Sequence, residues 1–185
     1  MSRDASNISL GTGRLYINNI EVGYLKGDVE FSYARNKLDF KPSGALGPVA
    51  QYVISEECLL KAAIAELKTA NLKLAMGITS SVASFSGDPS YNPASFDGDN
   101  AKVYDSLKFG GDTTIDNTLA VRFEHIRPNT TKKIVVILYT AVSMSELTLT
   151  FKDEDFNIHD LVLKGLADDN RPAGDQIGMI IEQTN

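Results

Sequence analysis

Few side chains in this sequence are of types that could carry out catalysis. Cys58 and His125 are the residue types of a thiolate–imidazole pair, the arrangement that activates a cysteine nucleophile. The residues around Cys58 in the sequence include nothing that would lower the pKa of its thiol, so we predict a buried structural cysteine. No G-x-S-x-G motif is present. The sequence therefore favours a protein that is not an enzyme.

The segment most similar to a metal-binding motif is an incomplete calcium loop. Asp153, Asp155 and Asn157 have the spacing of its first three ligands. The sixth position holds Ile158 instead of glycine, and the twelfth holds Lys164 instead of glutamate, so the match fails. The two histidines lie on separate segments, and the GTG triplet precedes the first predicted strand instead of linking a strand to a helix. We expect no metal and no cofactor.

The composition is that of a single globular domain. The chain has 185 residues, of which 43% are hydrophobic, and its single cysteine fits assembly in a reducing compartment. We expect neither a secretory signal nor a membrane-spanning helix, since no apolar run approaches ~20 residues. The formal net charge is −6. An acidic chain does not attract nucleic acid by its overall charge.

The elements that position these residues are predicted to be mostly β-strands. Leu15 and Ile17 alternate with polar neighbours, as do Phe31 and Tyr33, which predicts strands with one buried face. Asn18-Asn19 and Lys26-Gly27 are predicted turns. Residues 41–48 hold two prolines and two glycines and predict a loop. Residues 79–100 are rich in Ser, Gly, Pro, Asn and Asp, which predicts a long exposed loop.

Residues 55–77 can be interpreted in two ways. Local signals favour one long helix, with Ser55 as its N-cap and Gly77 beyond its end. The competing interpretation continues the preceding strand through Lys61 and begins the helix near Ala65. Helix propensity favours the first, but tertiary context often overrides propensity.

Five segments in order resemble the major tail tube proteins of long-tailed bacteriophages. They are GRLYINNIEVGYLKGDVEFSYA, SGALGPVAQYVISEE, LLKAAIAELKTANLKLAMG, LAVRFEHIRPNTTKKIVVILYTAV and GLADDNRPAGDQIGMIIEQ. The resemblance covers residues 13–183, with residues 79–100 as an insertion and residues 1–12 as a flexible N-terminal arm. It rests on the order and spacing of the segments, since no single motif is specific.

The resemblance implies a fold and an assembly. The fold would be mainly β, a sandwich or half-barrel of two packed antiparallel sheets with one flanking helix. The strand would run from about Val49 to Ala62 and the helix from about Ala65 to Met76, packing Leu67, Ala70 and Leu74 on the sheet. The last strand would lie beside the strand at residues 161–166. Six copies would form a ring with a continuous inner β-barrel, and rings would stack into the tail tube.

The same resemblance implies partners and a location. Double-stranded DNA would pass through the lumen without specific binding, and the acidic balance suits such a wall. Tail terminator, baseplate or tip, and tape-measure proteins would bind the tube. The protein would be assembled in the host cytoplasm and reside in the virion tail.

Candidate site residues fall into three groups. Those expected to face the lumen are Glu30, Ser32 and, if the strand interpretation holds, Glu56, whereas Phe31 and Tyr33 would face the core. Those expected in assembly loops are Lys41, Pro42, Leu46, Pro48, Tyr91 and Phe96. Those of the closing turn are Asp169, Arg171, Pro172 and Gly174.

Two other classes of protein remain open. One is the inner tube of a contractile injection machine, such as a bacteriocin particle or a type VI secretion apparatus. The other is a non-catalytic β-sandwich binding module, for which exposed Phe85, Tyr91 and Phe96 would be the only hint.

Overall fold

A computed structural model of the chain describes residues 13–66, 68–77, 83–86, 103–106, 118–127, 132–146 and 159–183. Its elements are β1 (Gly13–Ile17), β2 (Ile20–Glu21), β3 (Glu30–Phe40), β4 (Ala50–Ile64), α1 (Thr69–Ala75), β5 (Ala83–Ser86), β6 (Val103–Ser106), β7 (Leu119–Ile126), β8 (Lys133–Ser143), β9 (His159–Leu166) and β10 (Gly178–Glu182). The mainly-β prediction is confirmed.

Eight strands form one antiparallel sheet. Seven of them lie in the order β2-β1-β7-β8-β9-β4-β3, and β10 pairs with β8. Buried side chains from both halves of this sheet, among them Leu15, Val121, Leu60 and Leu163, belong to one hydrophobic cluster. The sheet must therefore curl around that cluster. The expected division into two packed sheets is not seen among the described residues, and neither is a closed barrel.

The first hairpin follows the sequence prediction closely. Leu15 and Ile17 are fully buried, whereas Arg14 of the same strand is exposed. Asn18 and Asn19 connect β1 to β2 with φ angles of 51° and 65°. Two consecutive left-handed residues make the two-residue hairpin turn whose twist matches that of the strands. Asparagine tolerates this conformation better than most residues with a Cβ atom.

The ambiguous segment is a strand as far as Ile64. Residues 58–61 of β4 pair with β3 on one side and with β9 on the other, so the sheet overrides their helix propensity. The helix is shorter than expected, because the amide of Ala65 still bonds to the carbonyl of Tyr24, 2.9 Å away. Ala70 is exposed instead of packed on the sheet. Leu67 and the side chain of Leu74 lie outside the described residues.

The predicted partner of the last strand is wrong. β10 pairs with residues 134–138 of β8, and β9 pairs with residues 140–143 of the same strand. β9 is paired on both sides at residues 163–165, and β10 takes residues 134–138 of β8, which β9 leaves free. Residues 167–177 carry the chain to the free part of the β8 edge.

The long predicted loop contains a strand. β5 lies inside the stretch 79–100 and pairs with β6 as a separate two-stranded sheet. The prediction of a continuous loop is thus wrong at residues 83–86. Tyr91 and Phe96 lie outside the described residues, and so do residues 1–12, the three calcium-type ligands near Asp153 and the side chain of Phe85.

Candidate assembly surface

The β3–β4 hairpin extends beyond the rest of the sheet as a two-stranded ribbon. We call residues 34–57 the arm. Within it β3 and β4 pair only with each other, from Ala34–Glu57 to Phe40–Ala50, whereas β9 begins to pair with β4 only at Cys58. Seven residues of β3, paired with eight of β4, make the ribbon about 23 Å long at ~3.3 Å per residue. An isolated two-stranded hairpin is marginally stable in water, so such an arm calls for a partner.

One face of the outer half of the arm is apolar. Leu38 pairs with Tyr52, and Phe40 pairs with Ala50, so their side chains share a face. Leu38, Tyr52 and Phe40 are 59%, 60% and 53% exposed. Large apolar side chains that cluster at a surface are typical of interaction sites.

The opposite face of the arm is mostly polar, although Val53, which pairs with Lys37 there, is 49% exposed. Arg35 forms an ion pair with Glu56 at 2.9 Å, and the amide of Gln51 donates a hydrogen bond of 2.9 Å to Asp39. Arg35 also donates a hydrogen bond of 2.7 Å to the hydroxyl of Tyr33. In the outer half of the arm the two faces therefore differ: one holds Lys37, Asp39 and Gln51 beside Val53, and the other is apolar.

A β-bulge separates the inner half of the arm from the outer half. The register shifts between Asn36 and Lys37, which pair with Ser55 and Val53, so Ile54 is the extra residue of β4. A bulge bends its strand and increases the local twist. It therefore sets the direction in which the outer apolar face points.

The tip of the arm is the loop that the sequence predicted for assembly. Pro42 accepts a hydrogen bond of 3.1 Å from the amide of Ala45, and Gly44 has a φ of 88°. Lys41 and Pro48 are exposed, and Leu46 exposes its whole side chain, with a relative accessibility of 104%. These residues lie in one tight loop at the far end of the arm.

A second apolar surface lies on the outer face of β8 and β10. Val135 pairs with Ile181 and Ile137 pairs with Met179, which puts four apolar side chains in a block on one face. Met179 is 38% exposed and Ile181 43%. β10 pairs with no described strand except β8, so it is also an edge strand.

The free edge of β10 can be read from its hydrogen bonds to β8. The carbonyl of Ile177 accepts from Tyr139, and the amide of Gln183 donates to Lys133. Residues 177, 179, 181 and 183 therefore direct their backbone groups to β8, and Gly178, Ile180 and Glu182 direct theirs away from it. Such an edge can pair with a further strand.

The three lumen candidates do not share a face. Glu30 and Ser32 pair with Lys61 and Leu59 on one face of the sheet, while Glu56 pairs with Arg35 on the other. Both carboxylates are in ion pairs, Glu30 with Lys61 at 3.5 Å and Glu56 with Arg35. They therefore cannot together supply one unpaired acidic wall.

The expected orientation of the neighbouring aromatic residues is met in part. Phe31 packs against the hydrophobic cluster, as predicted. Tyr33 lies on the same face but is 47% exposed, because it stands where the sheet gives way to the arm.

The closing turn is a compact polar cluster at the start of β10. Arg171 forms ion pairs with Asp168 and Asp175, and its guanidinium lies 3.3 Å from the centre of the Tyr139 ring. The hydroxyl of Tyr139 donates to Asp175 at 2.5 Å, and this hydrogen bond raises the pKa of Tyr139. Gly174 has a φ of 90°, as the turn prediction required. Asp169 and Pro172 are exposed in the same turn. This cluster ties the connection of β9 and β10 to β8.

The candidate catalytic pair does not form. Cys58 of β4 pairs with Gly165 of β9, which pairs with Ala141 of β8, which in turn pairs with Leu119 of β7. His125 lies six residues beyond Leu119 on β7, a distance of about 20 Å along the strand. Burial raises the pKa of the Cys58 thiol, which keeps it protonated and unreactive.

Among the described residues no group of three side chains could hold a metal ion. The one described helix is too short and too polar to cross a bilayer.

Sequence reasoning missed the apolar face of the arm. Leu38, Phe40 and Tyr52 belong to strands in which apolar and polar residues alternate, and such alternation predicts a buried apolar face. Alternation reports that two faces differ, but it does not say which other part of the chain covers the apolar one.

The comparisons with known proteins add no relative. No protein-family model matches the chain, and no curated protein matches it.

Proposed function

We propose that this protein is a structural subunit that self-assembles into rings, and that the rings stack into a tube of the phage tail type. In this proposal six copies enclose a lumen through which double-stranded DNA passes into the host cell. The closing of inner strands from six copies into one barrel belongs to the same proposal. So do the virion tail location and the terminator, baseplate or tip, and tape-measure partners. The inner tube of a contractile machine is the variant that assembles in the same way.

The observation that carries the proposal is the exposed amphipathic arm. A lone domain has no use for a 23 Å ribbon with an uncovered apolar face, because that face costs solvation free energy and invites aggregation. A second copy can cover it, since β10 on the same chain presents Ile180, which is 60% exposed, on the face opposite Ile181. Two different surfaces of one chain that meet make a heterologous contact, which produces rings or filaments.

The free energies of burial and association predict a cooperative assembly. Fully burying an exposed apolar side chain contributes ~1.5–3 kcal/mol, so three half-exposed side chains on one arm contribute roughly 3–4 kcal/mol. Association costs about 4–15 kcal/mol in lost freedom of movement, so one arm alone holds a pair only weakly. In a closed ring every copy gives one arm and receives another. Rings should therefore form sharply above a threshold concentration.

The lumen part of the proposal rests on the resemblance and on the net charge of −6. Like charge along a wall repels phosphate and lets DNA slide. Because Glu30 and Glu56 lie on opposite faces, substitutions at these two positions can distinguish which face of the sheet would line the lumen.

Sedimentation velocity across a concentration series tests the assembly. We expect monomers when the protein is dilute, and rings or tubes at higher concentration that negative-stain electron microscopy shows directly. EDTA should leave the threshold unchanged. A chain that stays monomeric at millimolar concentration would overturn the proposal and favour the binding-module class.

A further inference from the structure

A groove of about 440 Å³ opens between β10 and the base of the arm. The apolar side chains that line it include those of Phe31, Tyr33, Cys58, Ile177 and Ile180. The volume is in the range of sites that bind small ligands or a protruding side chain. Its mouth also carries one acidic group, Glu56.

The most exposed apolar side chain of the described residues is at the opposite end of the arm. Leu46 stands between Gly44 and Gly47 in the tip loop, with nothing covering it. Lys41 begins the same loop and is exposed. The tip thus presents an exposed apolar side chain, and the groove presents an apolar interior, while Glu56 is already paired with Arg35 at 2.9 Å.

The tip cannot reach the groove of its own chain. Tyr33 lines the groove, and β3 continues from there in a paired, extended ribbon to Phe40 before the tip loop begins. Seven residues of paired strand hold the tip about 23 Å from the groove. A paired ribbon does not fold back over that distance, so only another copy can bring a tip to this groove.

We propose that Leu46 of one copy inserts into the groove beside β10 of the next copy. This inference rests on the proposed self-assembly and names the contact that drives it. The contact is heterologous, so each copy still offers an empty groove after its own tip is bound, and the chain of contacts ends only when a ring closes.

Disulfide trapping between two tagged preparations tests the contact. Both carry Cys58→Ala to remove the native thiol. One carries Leu46→Cys, and the other carries Ile180→Cys in the groove or, as a matched control, Ile181→Cys. Ile181 is the neighbouring residue of the same strand, is 43% exposed and lies on the opposite face, outside the groove. We expect the 46–180 pair to form at least about tenfold more interchain disulfide than the 46–181 pair.

The outcomes separate this inference from the proposed function. Assemblies that sediment normally but trap 46–181 as well as 46–180, or trap neither, would overturn the groove contact and leave self-assembly standing. If no assemblies form at any concentration, both fall.

A second pair of variants tests the energetic role of the same side chain. Leu46→Asp should raise the threshold concentration for assembly at least about tenfold, and Leu46→Met should leave it within about threefold. Both variants should melt at the wild-type temperature as dilute monomers, because the side chain of Leu46 is fully exposed. Wild-type assembly by Leu46→Asp would show that the groove takes some other occupant.

Discussion

The guanidinium of Arg127 forms an ion pair of 2.5 Å with the carboxylate of Glu182. The side chain of Arg127 is only 8% exposed, while that of Glu182 is 54% exposed. Arg127 follows β7 and Glu182 ends β10, so the pair links the last strand across β8 to the end of β7.

Removal of the carboxylate should loosen the last strand. Glu182→Gln removes the charge that pairs with the largely buried guanidinium of Arg127, and we expect a loss of about 1–3 kcal/mol in the free energy of unfolding, less than for a fully buried pair. Urea unfolding measures the loss, and hydrogen exchange should accelerate in β10 first. Glu30→Gln is the matched control, since its exposed pair with Lys61 should contribute no more than ~1 kcal/mol. Equal effects of the two variants would contradict the fastening role.

The apolar face of the arm should matter for assembly but not for the stability of the monomer. Leu38→Ser with Phe40→Ser should raise the threshold concentration at least about tenfold. Because both side chains are exposed in the monomer, its free energy of unfolding should change by less than about 0.5 kcal/mol per site. Sedimentation velocity and urea unfolding measure the two quantities. Asp39→Ser with Gln51→Ser alters the polar face of the same segment and is the control. An equal rise in threshold for that control would assign assembly to the arm as a whole instead of to one face.

The turn between β1 and β2 should respond oppositely to two neighbouring substitutions. Asn18 accepts a hydrogen bond of 2.9 Å from the amide of Ala120 through its side chain, so Asn18→Ala should lose about 1–2 kcal/mol from the bond and the left-handed backbone. Asn19→Gly should be neutral or stabilising by up to ~1 kcal/mol, since glycine favours the second position of this turn. Thermal unfolding compares them. Destabilisation by Asn19→Gly would show that its side chain contributes more than its backbone.

The stability of the fold should decrease as the pH falls below about 6.5, the ordinary pKa of histidine. His159 is 3% exposed, and its burial lowers its pKa in the folded chain. The unfolded chain therefore takes up a proton at a higher pH than the folded chain does. Stability from this group is fully present above pH 6.5 and decreases by up to ~1.4 kcal/mol per pH unit below it. Urea unfolding at pH 7.5, 6.5 and 5.5 measures the slope. His159→Gln should flatten it, and an unchanged slope would exclude His159 as its source.

Charge reversal on the two faces of the sheet should identify the lumen wall. Glu30→Lys and Glu56→Lys place the same change on opposite faces. Whichever residue faces the lumen should, when reversed, make assembled tubes retain short double-stranded DNA at low salt, because a positive wall binds phosphate. Cosedimentation of labelled DNA measures retention, and it should disappear at high salt. Retention by neither variant would place both residues away from the lumen.

The sequence by itself determined the local features of this protein. The alternation of Leu15 and Ile17 indicated which side chains are buried, and Asn18-Asn19 indicated the turn. Gly174 likewise indicated the closing turn. These features depend on residues within a few positions of each other, and strand alternation and left-handed backbone are both properties of short segments.

The tertiary structure decided which strand edges meet and which face is covered. β10 lies on the part of the β8 edge that β9 leaves free, and β9 is itself paired with β4, an arrangement that involves distant segments. Glu56 lies on the other face of the sheet from Glu30, because the register pairs Glu56 with Arg35. The apolar face of the arm is exposed because no other strand of the described residues extends that far, and neither periodicity nor propensity carries that information.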